Sequence, residues 1–500
     1  MNITINTINI EQTKSDLLVL PLVATNLKEQ LAKLDKLHQG QIQAAVSHFS
    51  FKAERNARMD VTLNSSKSKI SFLRLSGVSS LDKVVVEEWR KLGGDAYSTA
   101  KRNKTKKVSL DLTQVSAKSL NEVLEAAVEG FVLSSYEFNK YFSKDKTKEV
   151  FAVNLELLVP ASRKKAAQDS LKVAIISAKA TSFARDIVNI APSDLQPKDV
   201  VKFARTIKGS NISLKVFGKK ELEKMGADCI LGVSRGSDTE PFMLHFSYKP
   251  KTRSKNSKTI TLIGKGITFD SGGLSIKPGK GMEDMKCDMA GAACVLSIMK
   301  AISELPAENR PKHEINVIVP TCENMINGKA LKPGDVIKAI NGKSIEVLNT
   351  DAEGRLILAD ALSYAEKLES DLIIDLATLT GACIVALGTD YSGLFSNNQK
   401  YTEQLLTHAE KAGEKMWQLP LAKEYRALMN SPIADIKNIG DGGPGAIIAA
   451  LFLEEFVPKN TPWIHLDIAG PAFVTKTNEY IKKGGTGCGV LTLLRFLGEV

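Results

Sequence analysis

Short continuous runs of apolar residues alternate along this chain with longer stretches in which apolar positions return every three or four residues. Leu17-Leu18-Val19-Leu20 reads as a short buried strand, Leu27 to Leu37 has helical spacing, and Ile70 to Leu75 returns to strand character. A long helical pattern runs from Leu120 to Phe142, and Val150 to Val159 is again strand-like. Residues 161 to 189 form a further helical stretch, which Ala191-Pro192 and Gln196-Pro197 should end because the residue before a proline avoids helical backbone.

Beyond this point the texture changes. Thr259 to Ile263, Ile315 to Val319 and Leu372 to Leu376 are good internal strands, and helical patterns lie near 289–303, 355–368, 401–412 and 444–456. That alternation predicts an α/β fold with a central mostly parallel or mixed sheet flanked by helices. Two domains are expected: a small N-terminal α/β domain over residues 1–165, serving packing or oligomerisation, and a larger C-terminal domain over 166–500 that includes a linker helix at about 166–189. In such a sheet ligands gather beyond the carboxyl ends of the strands, where the acidic and glycine-rich segments of this chain fall.

Composition adds bounds. Hydrophobic residues make up 43% of 500, as in an ordinary globular protein, and no apolar stretch is long enough to cross a bilayer. The first twenty residues lack a basic-then-apolar leader pattern, so the expectation is a cytoplasmic protein with no membrane partner. The six cysteines are scattered without CxxC spacing, which favours free thiols over a disulfide framework. The net charge of +11 comes partly from basic clusters at 101–107, 163–165 and 249–258. These could attract nucleic acid such as DNA, or anionic membrane surfaces, but no finger, KH or RNP pattern accompanies them, and solvated loops are the better reading.

The chemistry concentrates at three segments. The strand ending at Ile263 leads into Gly264-Lys265-Gly266-Ile267-Thr268-Phe269-Asp270-Ser271-Gly272-Gly273, which puts a lysine and an aspartate at a strand end without the Gly-Lys-Ser/Thr order of a phosphate loop. Asp288 stands where a helix N-cap would, a structural role, although a carboxylate in such a cleft can also hold a cation. Asn349-Thr350-Asp351-Ala352-Glu353-Gly354-Arg355 crowds two carboxylates and a guanidinium before a helix expected to start near Gly354-Arg355. On an extended approach Asp351 and Glu353 would leave the same face. Together the four acids offer enough oxygens for two divalent ions roughly 3.5–4 Å apart. The six histidines form no HExxH pair, so such ions would be held chiefly by carboxylates. Lys265 could ligate only as a neutral amine, its pKa depressed by nearby cations, and Lys277 could stay charged and stabilise an oxyanion; both could equally be ordinary salt-bridge partners.

With these residues in view, the chain resembles the cytosolic leucyl aminopeptidases, the carboxylate-bridged dimetal M17 peptidases. The likeness runs through Asn189 with Pro192, Gly264 to Lys277, Met285 to Ala293, Glu323-Asn324-Met325, Pro333-Gly334-Asp335, Asn349 to Leu356, Thr378 to Gly381, Asp435 to Gly440 and Trp463 to Gly470. The amino-terminal half resembles the family's smaller domain only loosely. The resemblance implies that Asp270 and Glu353 bridge the metals, that Asp351 completes the more readily exchanged site, and that Lys265 and Asp288 complete the tighter one. It implies hydrolysis of the first peptide bond of an unblocked peptide by a bridging water, with Lys277 stabilising the oxyanion and Arg355 holding a bicarbonate-like anion as proton shuttle. The Leu379 carbonyl would orient the substrate backbone, and Met285, Thr378, Gly381, Ala469 and Ala472 would line an apolar pocket for leucine or methionine. The metals implied are Mn or Zn, or Mg, and the assembly implied is a homo-hexamer. Departures lie in loops: Pro444 precedes a family helix, Gly484 to Gly487 varies from the usual late turn, and Lys249 to Lys258 reads as a charged insertion. A DNA-binding or architectural role is the alternative from another class, and a dimetal phosphatase is disfavoured by the absence of a clear phosphate nest.

Overall fold

A computed structural model describes residues 1–64, 70–143, 151–209, 211–252 and 255–499. The packing divides the chain into two units. The first comprises Met1–Lys179 with the short returns Lys411–Gly413 and Thr477–Lys482, and the second holds Ala180–Glu410, Glu414–Lys476 and Lys483–Val500. The partition falls inside the Lys164–Asn189 helix.

In the first unit six strands, β1 (Ile3–Asn6), β2 (Leu17–Leu22), β3 (Arg58–Thr62), β4 (Phe72–Gly77), β5 (Lys107–Asp111) and β6 (Asn154–Leu158), form a sheet of order β1-β6-β5-β2-β4-β3. All neighbours are parallel except the edge pair β3/β4. Every residue of β2 is buried because its two faces serve two cores, and this is why it reads as a continuous apolar run. Leu17 and Val19 join the core with the Val86–Arg102 and Leu120–Ser134 helices, while Leu18 and Leu20 join the core with the Leu27–Leu37 helix. The helix expected to reach Phe142 stops at Ser134. Ser135 follows, and its hydroxyl donates to the Val132 carbonyl at 2.7 Å, a local bond that competes with continued helix. The strand expected from Val150 begins at Asn154; residue 150 lies outside the described residues.

The second unit carries a nine-stranded mixed sheet. Its strands are β7 (Ile212–Phe217), β8 (Phe242–Tyr248), β9 (Thr259–Gly264), β10 (Gly266–Asp270), β11 (Glu314–Asn324), β14 (Leu372–Ala377), β15 (Ser392–Ser396), β16 (Met416–Gln418) and β18 (Trp463–Asp467). They are ordered β16-β15-β18-β14-β9-β11-β8-β7, with β10 also pairing β11. β12 (Val336–Lys338), β13 (Ser344–Glu346) and β17 (Ile436–Lys437) make a separate three-stranded sheet. The centre β18-β14-β9-β11-β10 is parallel, so these strands end on the same side. Helices Ala290–Glu304 and Glu353–Ala365 pack against the sheet, and the second is buried at every position from Glu353 to Ala365. Among the described residues no helix is long and apolar enough to cross a membrane, and all six cysteines are free.

Candidate metal centre

The site residues sit at or just past the carboxyl ends of that parallel centre. Lys265 follows β9, Asp270 ends β10, Asn324 ends β11, Thr378 follows β14 and Asp467 ends β18. Lys265 is held in place by its own backbone: its N–H donates to Leu376 O at 3.0 Å and its carbonyl accepts Ala292 N–H at 2.9 Å. That second bond brings the segment carrying Asp288 down onto the strand ends. Gly291 permits the approach, since a Cβ there would lie 2.1 Å from Leu376 O.

Two local expectations are corrected here. Asp288 is not a helix N-cap: it closes the 3-10 turn Met285–Cys287, and the helix starts two residues later at Ala290. The helix after the acidic heptapeptide starts at Glu353, one residue before Gly354-Arg355, so Glu353 belongs to its first turn and only Asp351 lies on the extended approach expected of both. Both carboxylates still reach the cluster, by different routes.

Asp270, Asp288 and Glu353 are buried, and one oxygen from each lies within 4.8 Å of the others. Lys265 Nζ stands 2.8 Å from Asp288 Oδ1 and 2.9 Å from Glu353 Oε1, and donates to Thr378 O at 3.0 Å. Lys277 Nζ bridges Asp270 Oδ2 at 2.8 Å and Asp351 Oδ1 at 2.5 Å. The structure therefore gathers all five predicted metal-binding residues and Lys277 into one cluster.

Four carboxylates thus face two ammonium groups, and negative charge is in excess. Burial raises the Glu353 carboxyl above its usual range and Asp270 adds repulsion; burial likewise raises Asp288 well above the usual value, against the pull of Lys265. Burial opposes the charge on Lys265, yet Asp288, Glu353 and Asp270 raise its pKa above the ordinary lysine value. A neutral amine at Lys265 therefore depends on cations in the cluster. The donor set fits such cations. Asp288 Oδ2 and Glu353 Oε2 are buried without a hydrogen-bond partner, which is costly for a carboxylate and is relieved by a hard divalent ion.

Arg355 is 9% exposed and its Nη1 donates to Asn438 O at 2.7 Å, while its Nε is buried without a partner. Burial lowers its pKa to about 10, against Glu353 and Asp467, so the guanidinium stays charged at neutral pH. Burial pushes the Cys287 thiol up to about 12, which leaves it a poor nucleophile beside Asp288.

The residues expected to line a substrate pocket are spread around this centre. Thr378 is buried and its hydroxyl donates to Asp288 Oδ1 at 2.7 Å; Met285, Leu379 and Ala469 are half-buried, Gly381 is exposed, and Ala472 is buried. Sequence reasoning gave no role to several buried polar residues that hold the site together. Asn324 Nδ2 donates to Asp270 Oδ1 at 2.8 Å and to Thr350 O at 3.0 Å. Asp467 accepts Leu379 N–H at 3.2 Å, Ala469 N–H at 3.1 Å and the Thr380 hydroxyl at 2.6 Å, tying two pocket segments to one carboxylate. Their signal in the sequence was a polar residue at the end of an apolar strand. Some of the basic clusters are paired: Lys101 with Glu137, Arg102 with Asp60 and Lys249 with Glu314; residues 253 and 254 lie outside the described residues.

Comparison with known proteins agrees with this geometry. The catalytic-domain profile of the cytosol aminopeptidase family matches residues 182–494, and the family's N-terminal-domain profile matches residues 19–145. A probable cytosol aminopeptidase of Persephonella marina is 40% identical over 476 residues, covering 94% of each chain. One from Aquifex aeolicus is 39% identical over 473 residues, covering 94% of this chain and 93% of its own. Among solved structures, a lysine-to-glutamate variant of tomato leucine aminopeptidase superposes with a TM-score of 0.88 at 32% identity, over 100% of this chain and 97% of its own. The bottromycin maturation enzyme BotP in complex with Mn superposes with a TM-score of 0.82 at 29% identity, over 97% and 99%.

Proposed function

The chain belongs to the cytosol aminopeptidase family as a metal-dependent aminopeptidase, and from that premise we propose how its own residues divide the work. Lys265, Asp270, Asp288, Asp351 and Glu353 would hold two divalent ions. The observation that carries this reading is the pair of buried, unpartnered oxygens on Asp288 and Glu353. Bound there, the ions would supply Lewis-acid chemistry for binding a free amine and lowering the pKa of the attacking water. Four carboxylates with one amine suit Mn and accommodate Zn or Mg. The Mn in the BotP complex supports Mn first.

Lys277 has a second duty in this reading. Its ammonium neutralises Asp270 and Asp351 in the structure, and with ions on those carboxylates it would be free to stabilise the oxyanion at the substrate carbonyl. Arg355, charged, buried and with a free Nε donor, holds a bicarbonate-like anion that moves the proton from water to the leaving amine. The Leu379 carbonyl orients the substrate backbone. Met285, Thr378, Gly381, Ala469 and Ala472 receive an apolar first side chain, leucine foremost, since none of them offers a charge to pair with an acidic or basic one. A hexamer in the cytoplasm is the assembly and compartment that the family resemblance and the relatives' name support. The amino-terminal unit, Met1–Lys179 with its two short returns, serves packing or oligomerisation.

The test is ion stoichiometry. Chelated protein titrated with Mn2+ should take up two ions per chain, and Asp288→Asn and Glu353→Gln should each lose tight uptake. A single ion in the wild type would refute the two-ion reading.

A further inference from the structure

Asn438 lies 83 residues beyond Arg355, the end of the acidic heptapeptide, is 0% exposed, and makes five hydrogen bonds, all to backbone or to Arg355. It follows β17, which runs parallel to β13 with Ile345 opposite Ile436 and Glu346 opposite Lys437. The ladder ends with Asn438 N–H donating to Glu346 O at 2.9 Å. Past that point the β13 chain heads for the metal centre and its backbone pairing with β17 stops, although Val347 still pairs with Gly334 and Asp335 on the other side. The Asn438 side chain takes over. Its Oδ1 accepts Leu348 N–H at 2.9 Å and Asn349 N–H at 3.3 Å, and its Nδ2 donates to Asn349 O at 2.7 Å. A carboxamide offers one donor and one acceptor side by side, as a peptide group does, so it can stand in for a strand residue.

Asn349 passes this order on, because its own Oδ1 accepts Asp351 N–H at 2.8 Å. Thr350, between them, is tied to the β10 side of the site: its hydroxyl donates to Gly272 O at 2.7 Å and its carbonyl accepts from Asn324. The segment carrying Asp351 is therefore clamped from two directions, and Asn438 is the clamp on the far side. The Asn438 carbonyl meanwhile takes Nη1 of Arg355. Asn438 makes none of its hydrogen bonds to Lys265, Asp270, Asp288 or Glu353.

We propose that Asn438 is a positioning residue whose side-chain amide acts as a surrogate strand for the segment bearing Asp351, the most exposed of the four carboxylates, and whose carbonyl aims Arg355, so that it governs the ion held through Asp351 and not the one held by Lys265 and Asp288. This rests on the two-ion reading above. Asn438→Asp keeps the shape and both acceptor contacts but sets an oxygen against Asn349 O. Asn438→Ala removes the side-chain contacts altogether.

Full-length chelated protein would be titrated with Mn2+ alone, free ion being followed by its paramagnetic resonance signal, with melting temperature and leucine-amide hydrolysis measured on the same samples. Both variants should bind the first ion within about threefold of wild type and the second about 10–100-fold more weakly, the range usual for residues that orient metal ligands. Their kcat should fall at limiting Mn2+ and recover in part when Mn2+ is saturating. Wild-type affinity for both ions would overturn the proposal, as would equal weakening of both ions with a lowered melting temperature, the mark of a purely structural role. If Asn438→Ala does not fold, Asn438→Asp decides alone. A wild type that binds one ion removes the two-ion reading and this inference with it, whereas two ions in the wild type with unchanged variants removes this inference only.

Discussion

Gly354 faces the side chain of Lys265 so closely that a Cβ on the glycine would lie 2.5 Å from the lysine Nζ. The first turn of the Glu353–Ala365 helix and the end of β9 can share the metal centre only because position 354 carries no side chain.

Gly354→Ala should therefore push Lys265 away from Asp288 and Glu353. The expected result is a loss of leucine-amide hydrolysis of at least about 100-fold with weaker metal uptake, and an overpacking penalty of about 1–3 kcal/mol by urea unfolding. An alanine variant with wild-type Mn2+ affinity and activity would show that Lys265 does not need its observed place.

Lys277 pairs with Asp270 and Asp351 but is read as acting on the developing oxyanion. Lys277→Met keeps much of the bulk without the charge. Its kcat should fall about 100–1000-fold, with KM changed by less than about threefold, because the interaction is made mainly in the transition state. A change confined to KM would place Lys277 in ground-state binding instead.

Much of this centre was legible in the sequence, and the reasons are local. β9 and β14 are short apolar runs, and the groups at their ends, Lys265 and Thr378, fall where ligands of a parallel sheet gather. Lys265, Asp270, Asp288, Asp351 and Glu353 could be named because their residue types in that order resemble a family. Local structure was less secure. Asp288 looked like a cap because an acid before a helical run often is one, yet a 3-10 turn occupies that place. Asn438, Asn324 and Asp467 had no readable role, since each acts on backbone 26 to 90 residues away or through a neighbouring segment, and spacing along the chain does not reveal such contacts.

Asp360 offers a stability test away from the metals. It is fully buried in the same helix as Arg355 and accepts Ile230 N–H at 2.9 Å and Ile340 N–H at 3.0 Å. Asp360→Ala leaves those donors unsatisfied and should cost about 1–3 kcal/mol for each, without altering Mn2+ stoichiometry. Burial raises the carboxyl to about 8, against these N–H groups. A raised folded-state pKa means that the folded protein keeps a proton the unfolded chain gives up. This contribution is complete below about pH 4, the unfolded value, and is lost as pH rises through about 8. The stability gap between wild type and Asp360→Ala, from urea unfolding of chelated protein, should shrink between pH 5 and pH 8.

Removing metal should loosen the protein in a concentration-dependent way. Ions that bind only the folded chain stabilise it by about 2.7 kcal/mol at 100 times Kd, so the melting temperature of chelated protein should climb with added Mn2+. Asp288→Asn, which removes the anionic oxygen left unpartnered in the structure, should blunt that climb.

The most direct measurement is a paired hydrolysis assay on chelated protein before and after Mn2+ is restored, with leucine amide and its N-acetylated form as substrates. Metal should restore cleavage of the unblocked amide and leave the acetylated one intact, because the proposed centre needs a free amine to engage. Reconstituted protein that leaves the unblocked amide uncut, or cuts both alike, would contradict this expectation.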